Sequence, residues 1–158
     1  MEEKKISFMK LALDLARENL EKRNGGPFGC VIVKDGEVIA TGYNKVIIDN
    51  DPTSHAEIVA IRKACRKLNT HFLSGCEVYS SCEPCPMCMS AIYWARPDKL
   101  YYSASRTDAA DAGFNDKHIY DELSLMPDKR EISGERLLKE EGEDIFHLWK
   151  DMDIDIKY

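Results

Sequence analysis

Residues 81–88, Ser-Cys-Glu-Pro-Cys-Pro-Met-Cys, identify the fold and the chemistry to be expected of this 158-residue chain. Cys85 and Cys88 are three residues apart, so in a helical turn their sulfur atoms lie on one face and can bind one ion. Upstream, His55-Ala56-Glu57 adds an imidazole and a carboxylate. A catalytic zinc ion takes three protein ligands and keeps one position open for water. His55, Cys85 and Cys88 are therefore the predicted zinc ligands.

Glu57, two residues after the ligand His55, is predicted to shuttle protons rather than to act as a fourth ligand. Two thiolates and a neutral imidazole leave Zn²⁺ formally uncharged, so a zinc-bound hydroxide should remain nucleophilic while a nearby base handles the protons. The joint pattern H-x-E…P-C-x-x-C is that of zinc-dependent nucleobase deaminases. The sequence thus predicts hydrolytic removal of an amino group from a purine or pyrimidine.

Each half of this pattern has a simpler explanation when it stands alone. A lone C-x-x-C is more often a structural zinc half-site or a redox pair, and a lone H-x-E is common. A structural Cys₃His site could recruit Cys82. Against this, a structural site has no use for Glu57, and Pro84 directly precedes Cys85 as the deaminase pattern requires. Cys82 is instead predicted to be a buried thiol or a group next to the ligands.

Composition favours one globular domain over residues 1–158. Hydrophobic residues make up 44% and charged residues 32%, and no apolar run approaches the roughly 18 residues of a membrane span. The first residues do not resemble a secretory signal, so the six cysteines are expected to be reduced and the location cytoplasmic. A net charge of −6 argues against strong nucleic-acid binding, and neither nucleic acid nor membrane is expected as a partner.

Hydrophobic periodicity and turn residues predict an alternation of helices and strands. Helices are predicted over residues 7–22, from Pro52 through about Leu68 with Thr53 or Ser54 as N-cap, from Pro84/Pro86 to near Arg96-Pro97, and over Glu143–Met152 with Ile145, Leu148, Trp149 and Met152 inward. Strands are predicted over Phe28–Lys34, Glu37–Asn44, Glu77–Ser80 and Lys99–Ala104, the first two joined by a tight Asp35-Gly36 hairpin. This order implies a mixed sheet with helices on its faces, and it puts His55 and Cys85 in first helical turns.

The chain resembles the cytidine deaminase-like superfamily, and within it the bacterial guanine deaminases. The metal motifs are shared by the whole superfamily. The more selective segments are residues 91–97 (AIYWARP), residues 111–116 (DAGFND) and the terminal Tyr158. The resemblance implies an α/β fold, a three-layer α/β/α sandwich with a mixed central sheet and one zinc ion per active site.

Five positions acquire expected roles from this resemblance. Asn44 would hydrogen-bond the heterocycle, Phe28 and Trp94 would form aromatic walls, and Asp116 would bind near the exocyclic amine or carry a second proton. Tyr158 would close the pocket of a partner subunit in a domain-swapped homodimer. From the residues alone, a turn role is favoured for Asn44, and core packing is favoured for the two aromatic residues.

The reaction expected on this basis is hydrolysis of guanine to xanthine and ammonia, which links the chain to purine metabolism. A tRNA adenosine deaminase and a cytosine deaminase are the rival enzymes, because they share the metal motifs. The acidic balance and Asp116 disfavour the first of these, since RNA affinity depends on Lys and Arg contacts to phosphates. A non-catalytic, zinc-stabilised protein is the alternative of a different class.

Overall fold

The computed structural model describes residues 2–152 and 156, which form two compact units, Met1–Asp116 and Lys117–Tyr158. The elements of the first unit are α1 (Glu2–Glu21), β1 (Gly29–Lys34), β2 (Glu37–Tyr43), α2 (Val46–Asp49), α3 (Ala56–Leu68), β3 (Cys76–Cys82), α4 (Pro86–Ala95), β4 (Lys99–Ala104) and α5 (Arg106–Asp111). Those of the second are α6 (Lys117–Leu123), a 3₁₀ turn (Pro127–Lys129) and α7 (Lys139–Asp151).

The four strands form one mixed sheet, as the sequence predicted, and their order in the sheet is β2-β1-β3-β4. β1 runs antiparallel to both β2 and β3, whereas β3 and β4 are parallel. Asp35 and Gly36 join β1 to β2 with φ values of 52° and 77°. Two consecutive left-handed residues are what a two-residue hairpin requires, so the predicted Asp-Gly turn is confirmed.

Helices cover both faces of the sheet, which confirms the expected α/β/α layering. α1 packs on one face, where its Ala12 forms a buried cluster with Val31, Val33 and Tyr79. α3 and α4 pack on the other face. The buried side chains of that second cluster include Ile32, Ala60, Val78 and Ile92. Alternate residues of β1 thus point into different cores, as the period of a strand requires.

The predicted N-cap of α3 is wrong by one or two residues. His55, with extended backbone angles, occupies the N-cap position. The hydroxyls of Thr53 and Ser54 instead donate to the carboxylate of Asp51, at 2.7 and 3.1 Å. These hydroxyls are engaged in the preceding turn, so the helix begins immediately after the imidazole.

The second unit contains the helix predicted near the C-terminus, but its apolar side chains are not buried. Ile145, Leu148, Trp149 and Met152 are all exposed, so the prediction that they point inward is wrong for the described residues. The reason lies in the small size of this unit. Its other helical segments, Lys117–Leu123 and Pro127–Lys129, are one or two turns long and offer little surface against which to bury a 13-residue helix.

Among the helices of residues 2–152, none combines the length and the apolar character that crossing a bilayer demands.

Candidate active site

Two helix N-termini meet at one edge of the sheet and bring together the three predicted ligands. His55 is the N-cap of α3, Cys85 is the N-cap of α4, and Cys88 follows in the first turn of α4. His55 Nδ1 lies 3.5 Å from the sulfur of Cys85 and 3.5 Å from the sulfur of Cys88. Pro86 occupies the first position of α4, where a missing backbone N–H costs nothing. Spacing and helix starts therefore produce a cluster of one nitrogen and two sulfur atoms.

The geometry of this cluster fits a zinc ion. All three ligand atoms lie within 4.8 Å of one another. Two ligands at tetrahedral angles and roughly 2.0–2.3 Å from a zinc ion would be about 3.5 Å apart. The observed nitrogen–sulfur separations match that value. Two thiols and one imidazole are also the donor set of known catalytic zinc sites, which leave the fourth position for water.

Glu57 is buried beside the cluster, with its side chain held at both carboxylate oxygens. It is only 5% exposed and lies in the first turn of α3, two residues after His55. Oε1 accepts a hydrogen bond from Ser80 Oγ at 2.9 Å, and Oε2 accepts one from Cys88 Sγ at 3.4 Å. Burial raises the pKa of Glu57, because the charged form loses hydration. A carboxyl group that readily gains and loses a proton is what a proton shuttle requires.

The two cysteines of the cluster have opposite pKa shifts. The neighbouring Cys88 side chain, together with His55, lowers the pKa of Cys85 to about 4. The contact with Cys85, together with burial, raises the pKa of Cys88. The position of Cys85 at the positive end of α4 favours a thiolate there. Binding of a divalent cation requires both sulfur atoms as thiolates and therefore displaces the proton of Cys88.

Phe28 and Asn44 lie close together at the ends of neighbouring strands. Phe28 precedes β1 and Asn44 follows β2, and the Asn44 backbone N–H donates to the Phe28 carbonyl at 3.0 Å. The next residue, Lys45, donates its backbone N–H to Ser54 O at 2.9 Å, directly before the imidazole of His55. The buried Asn44 also accepts a hydrogen bond from the backbone of Val46 through Oδ1, at 3.3 Å. Asn44 is therefore a turn residue, and its expected hydrogen bond to the heterocycle stays a prediction, as does the role of Phe28.

Asp116 and Trp94 are less closely tied to the cluster. The half-buried Asp116 follows Phe114 by two residues, and the Phe114 ring contacts the Phe28 ring edge-on at a centroid distance of 5.0 Å. Trp94 is 65% exposed on α4. Six residues separate it from Cys88, which turns its side chain about 240° around the helix axis, away from the Cys88 face. The roles of both residues stay predictions, and Tyr158 lies outside the described residues.

The remaining thiols of the described chain are separate from the three-ligand cluster. Cys82, at the end of β3, is buried and donates its thiol to Ser105 O at 3.5 Å. Burial raises its pKa to about 11, so it is a neutral thiol, in agreement with the sequence prediction. Cys30, Cys65 and Cys76 are free thiols as well.

Three residues that support the site were missed by the sequence analysis. Ser80 donates a hydrogen bond to Glu57. The sequence feature that could have indicated this residue is the pair of adjacent serines inside an apolar strand. Gly42 packs against the first turn of α3, where an added Cβ would lie 2.2 Å from Ala56 O. The Nδ2 of buried Asn19 donates to the Asn44 carbonyl at 3.0 Å. No sequence pattern indicates the last two, because both are contacts between distant segments.

The chain combines a layered mixed sheet, a His/Cys/Cys cluster at two helix N-termini and a buried glutamate beside that cluster. These features define the class of zinc-dependent deaminases. Comparison with known families agrees: the family described as the cytidine and deoxycytidylate deaminase zinc-binding region matches residues 2–104, and the chain belongs to this family.

The names of individual relatives are more specific than the description of the family. The chain is 50% identical to the guanine deaminase of Bacillus subtilis (strain 168) over 144 residues, which cover 91% of this chain and 92% of that protein. The X-ray structure of guanine deaminase from Bacillus subtilis superposes with a TM-score of 0.91 at 48% identity, covering 96% of each chain. A tRNA-specific adenosine deaminase of Aquifex aeolicus is 47% identical over 97 residues, which cover 61% of this chain and 64% of that enzyme.

Proposed function

We propose that this chain is a zinc-dependent guanine deaminase that hydrolyses guanine to xanthine and ammonia. The observation that carries the proposal is the 50% identity to a guanine deaminase over 91% of the chain, combined with a buried carboxylate beside a three-ligand cluster. The tRNA-specific adenosine deaminases match less: that of Aquifex aeolicus covers 61% of the chain at 47% identity, and that of Haemophilus influenzae covers 80% at 35% identity. The proposal treats residues 1–158 as one deaminase domain.

In this proposal His55, Cys85 and Cys88 hold one zinc ion. When bound, the ion would supply a Lewis acid that lowers the pKa of an attacking water. Glu57 would take one proton from that water and deliver it to a ring nitrogen; it would then carry the second proton, from the hydroxyl added to the ring carbon, to the amino group, which leaves as ammonia. Its position supports this role, because Oε2 faces the Cys88 sulfur at 3.4 Å while the carboxyl group is shielded from bulk water.

The base would be held by residues at the ends of β1 and β2. Phe28 would contact the purine ring either by stacking or edge-on. The Asn44 side chain would hydrogen-bond the heterocycle, since an amide can donate and accept at once. Asp116, close in sequence to Phe114, would bind the ring N–H and the exocyclic amine.

The direct test is ammonia release by purified, zinc-quantified protein. Guanine, guanosine, adenine, cytosine, cytidine and a tRNA anticodon stem-loop would be supplied in parallel. We expect release with guanine. Release with the stem-loop or with a pyrimidine instead would replace the substrate assignment while keeping the zinc chemistry. Zinc binding without release from any of these substrates would contradict the proposal and favour a structural zinc site.

We further propose a homodimer in which the C-terminal tail, ending in Tyr158, reaches the active site of the partner subunit. The exposed apolar side chains of α7 support an association of chains. Mixing two defective chains tests this: Glu57→Gln with an intact tail, and a chain lacking Tyr158 with Glu57 intact. After co-refolding, activity above that of either chain alone would support exchange of the tail, because only then does one site hold both groups. Absence of such a gain would contradict it.

A cytoplasmic location stays a prediction from the sequence.

A further inference from the structure

Two adjacent serines in β3 are buried on opposite sides of the sheet and have different partners. Ser80 is 1% exposed and donates its hydroxyl to Glu57 Oε1 at 2.9 Å. Ser81 is 4% exposed, and its hydroxyl accepts a hydrogen bond from the Gly29 backbone N–H at 3.0 Å. The two side chains are alike in size, burial and bond length. They differ in that one contacts the proposed proton shuttle and the other ties β3 to β1.

The support that Glu57 receives from Cys88 cannot persist when the metal site is filled. A cysteine that binds zinc does so as a thiolate, so Cys88 loses the proton that it donates to Oε2. Among the side-chain hydrogen bonds that the described residues make to this carboxylate, the bond from Ser80 to Oε1 then remains. Ser80 itself has no role in holding the metal, because its hydroxyl is directed at the carboxylate.

We propose that Ser80 is a positioning residue that holds Oε1 of Glu57 and thereby leaves Oε2 facing the metal site for proton transfer. This inference rests on the proposed function. A carboxylate anchored at one oxygen can rotate very little about its terminal bond, whereas an unanchored one has a broad, two-fold preference. The anchor therefore fixes which oxygen faces the reacting atoms. Misplacing a catalytic group by about 1 Å can cost on the order of 100-fold in rate.

The Ser80 hydroxyl is directed at Glu57 Oε1, so in this proposal it acts through Glu57, which gives the proposal a specific kinetic signature. Loss of the hydroxyl should lower kcat by roughly 10- to 100-fold, the range expected when a hydrogen bond to a charged group is removed. KM for guanine and the zinc content should stay near the wild-type values. A general disturbance of the strand would instead lower the thermal stability and change KM together with kcat.

The experiment compares Ser80→Ala with Ser81→Ala, and Ser80→Thr with Ser80→Val. The first pair removes one buried hydroxyl from each side of the same strand. The second pair is nearly equal in volume and differs in a hydroxyl against a methyl group, so it remains informative if Ser80→Ala folds poorly. Zinc content, melting temperature, kcat and KM would be measured for each protein, together with crystal structures of the zinc-loaded Ser80→Thr and Ser80→Val variants.

We expect Ser80→Ala and Ser80→Val to lose kcat, while Ser81→Ala and Ser80→Thr keep most of it. In the crystal structures the Glu57 carboxylate should keep its orientation in Ser80→Thr and rotate in Ser80→Val. Equal kcat losses in Ser80→Ala and Ser81→Ala would overturn the inference, as would unchanged turnover in Ser80→Val. If the wild-type protein releases no ammonia from guanine, the proposed function fails. The orientation of the carboxylate in the two crystal structures then decides the inference on its own.

Discussion

Replacing Gly42 with alanine should disable the site by moving α3, without touching any ligand. Gly42 lies on β2 against the first turn of α3, and an added Cβ would be 2.2 Å from Ala56 O and 2.8 Å from Ala60 N. Both neighbours are backbone atoms, so no side-chain rotation can relieve the clash. His55 and Glu57 flank Ala56 in the sequence, and any shift of this turn is transmitted directly to them.

The size of the effect follows from that distance. Restoring a separation of 3.0 Å requires the two backbones to move apart by about 0.8 Å. Overpacking of this kind costs roughly 1–3 kcal/mol, which corresponds to a fall in Tm of roughly 2–12 °C for a chain of this length. Displacing Glu57 by a comparable distance should lower kcat for guanine by up to roughly 100-fold. The zinc content should fall as His55 moves relative to the two cysteines.

Gly29→Ala is the matched control. Its added Cβ would also lie 2.2 Å from a backbone oxygen, that of Ala12 on α1, on the opposite face of the sheet. α1 contributes neither metal ligand nor proton shuttle. The two variants should therefore lose similar stability in thermal unfolding, while only Gly42→Ala loses zinc. Wild-type zinc content in Gly42→Ala, or an equal loss of zinc in Gly29→Ala, would refute the reasoning that this contact positions α3.

Three further outcomes are expected from the described contacts. Glu57→Gln should keep its zinc, as measured by metal analysis, and lose roughly 10²–10⁴-fold in kcat, because the amide cannot carry a proton; normal turnover in the zinc-loaded variant would exclude the shuttle role. Loss of a residue that merely hydrogen-bonds a metal ligand lowers metal affinity by up to roughly 100-fold. Cys88→Ser removes a ligand itself, so its zinc affinity, measured by titration with a chelator, should fall by more than that, whereas Cys82→Ser should retain the metal. Hydrogen bonds from the Ser105 hydroxyl and backbone lower the pKa of Asp108. Because the folded pKa is depressed, the stability from this capping box is present above the unfolded pKa and lost as pH falls through the folded value; the Tm difference between wild type and Asp108→Ala should therefore shrink in acid, and a constant difference would contradict this.

Much of the fold was predictable because its signals are local. The Asp35-Gly36 pair specifies two left-handed residues, so it fixes the hairpin between β1 and β2. Pro86 fits the first position of α4, where a missing backbone N–H leaves no hydrogen bond unmade. The burial of the α7 side chains was mispredicted because periodicity shows that a helix has an apolar side, but not whether its own unit supplies a surface to cover that side.

The residues of the candidate site likewise divide into those with a local sequence signal and those without one. His55, Cys85 and Cys88 could be grouped in advance because metal ligation restricts the choice of side chain and the spacing along each helix. Ser80 could not be assigned, since a serine in a strand is compatible with many partners and its pairing with Glu57 depends on how β3 and α3 pack.

By itself the sequence determined the ligand types, the order of helices and strands and the tight turns, because each depends on the chemistry of residues that are close along the chain. Only the tertiary structure decided that His55 occupies the N-cap position of α3, that Gly42 packs against that helix, and that Ser80 donates a hydrogen bond to one oxygen of Glu57. The last two features depend on distances between residues that are 14 and 23 positions apart. Such distances are set by packing, for which the chain carries no local code.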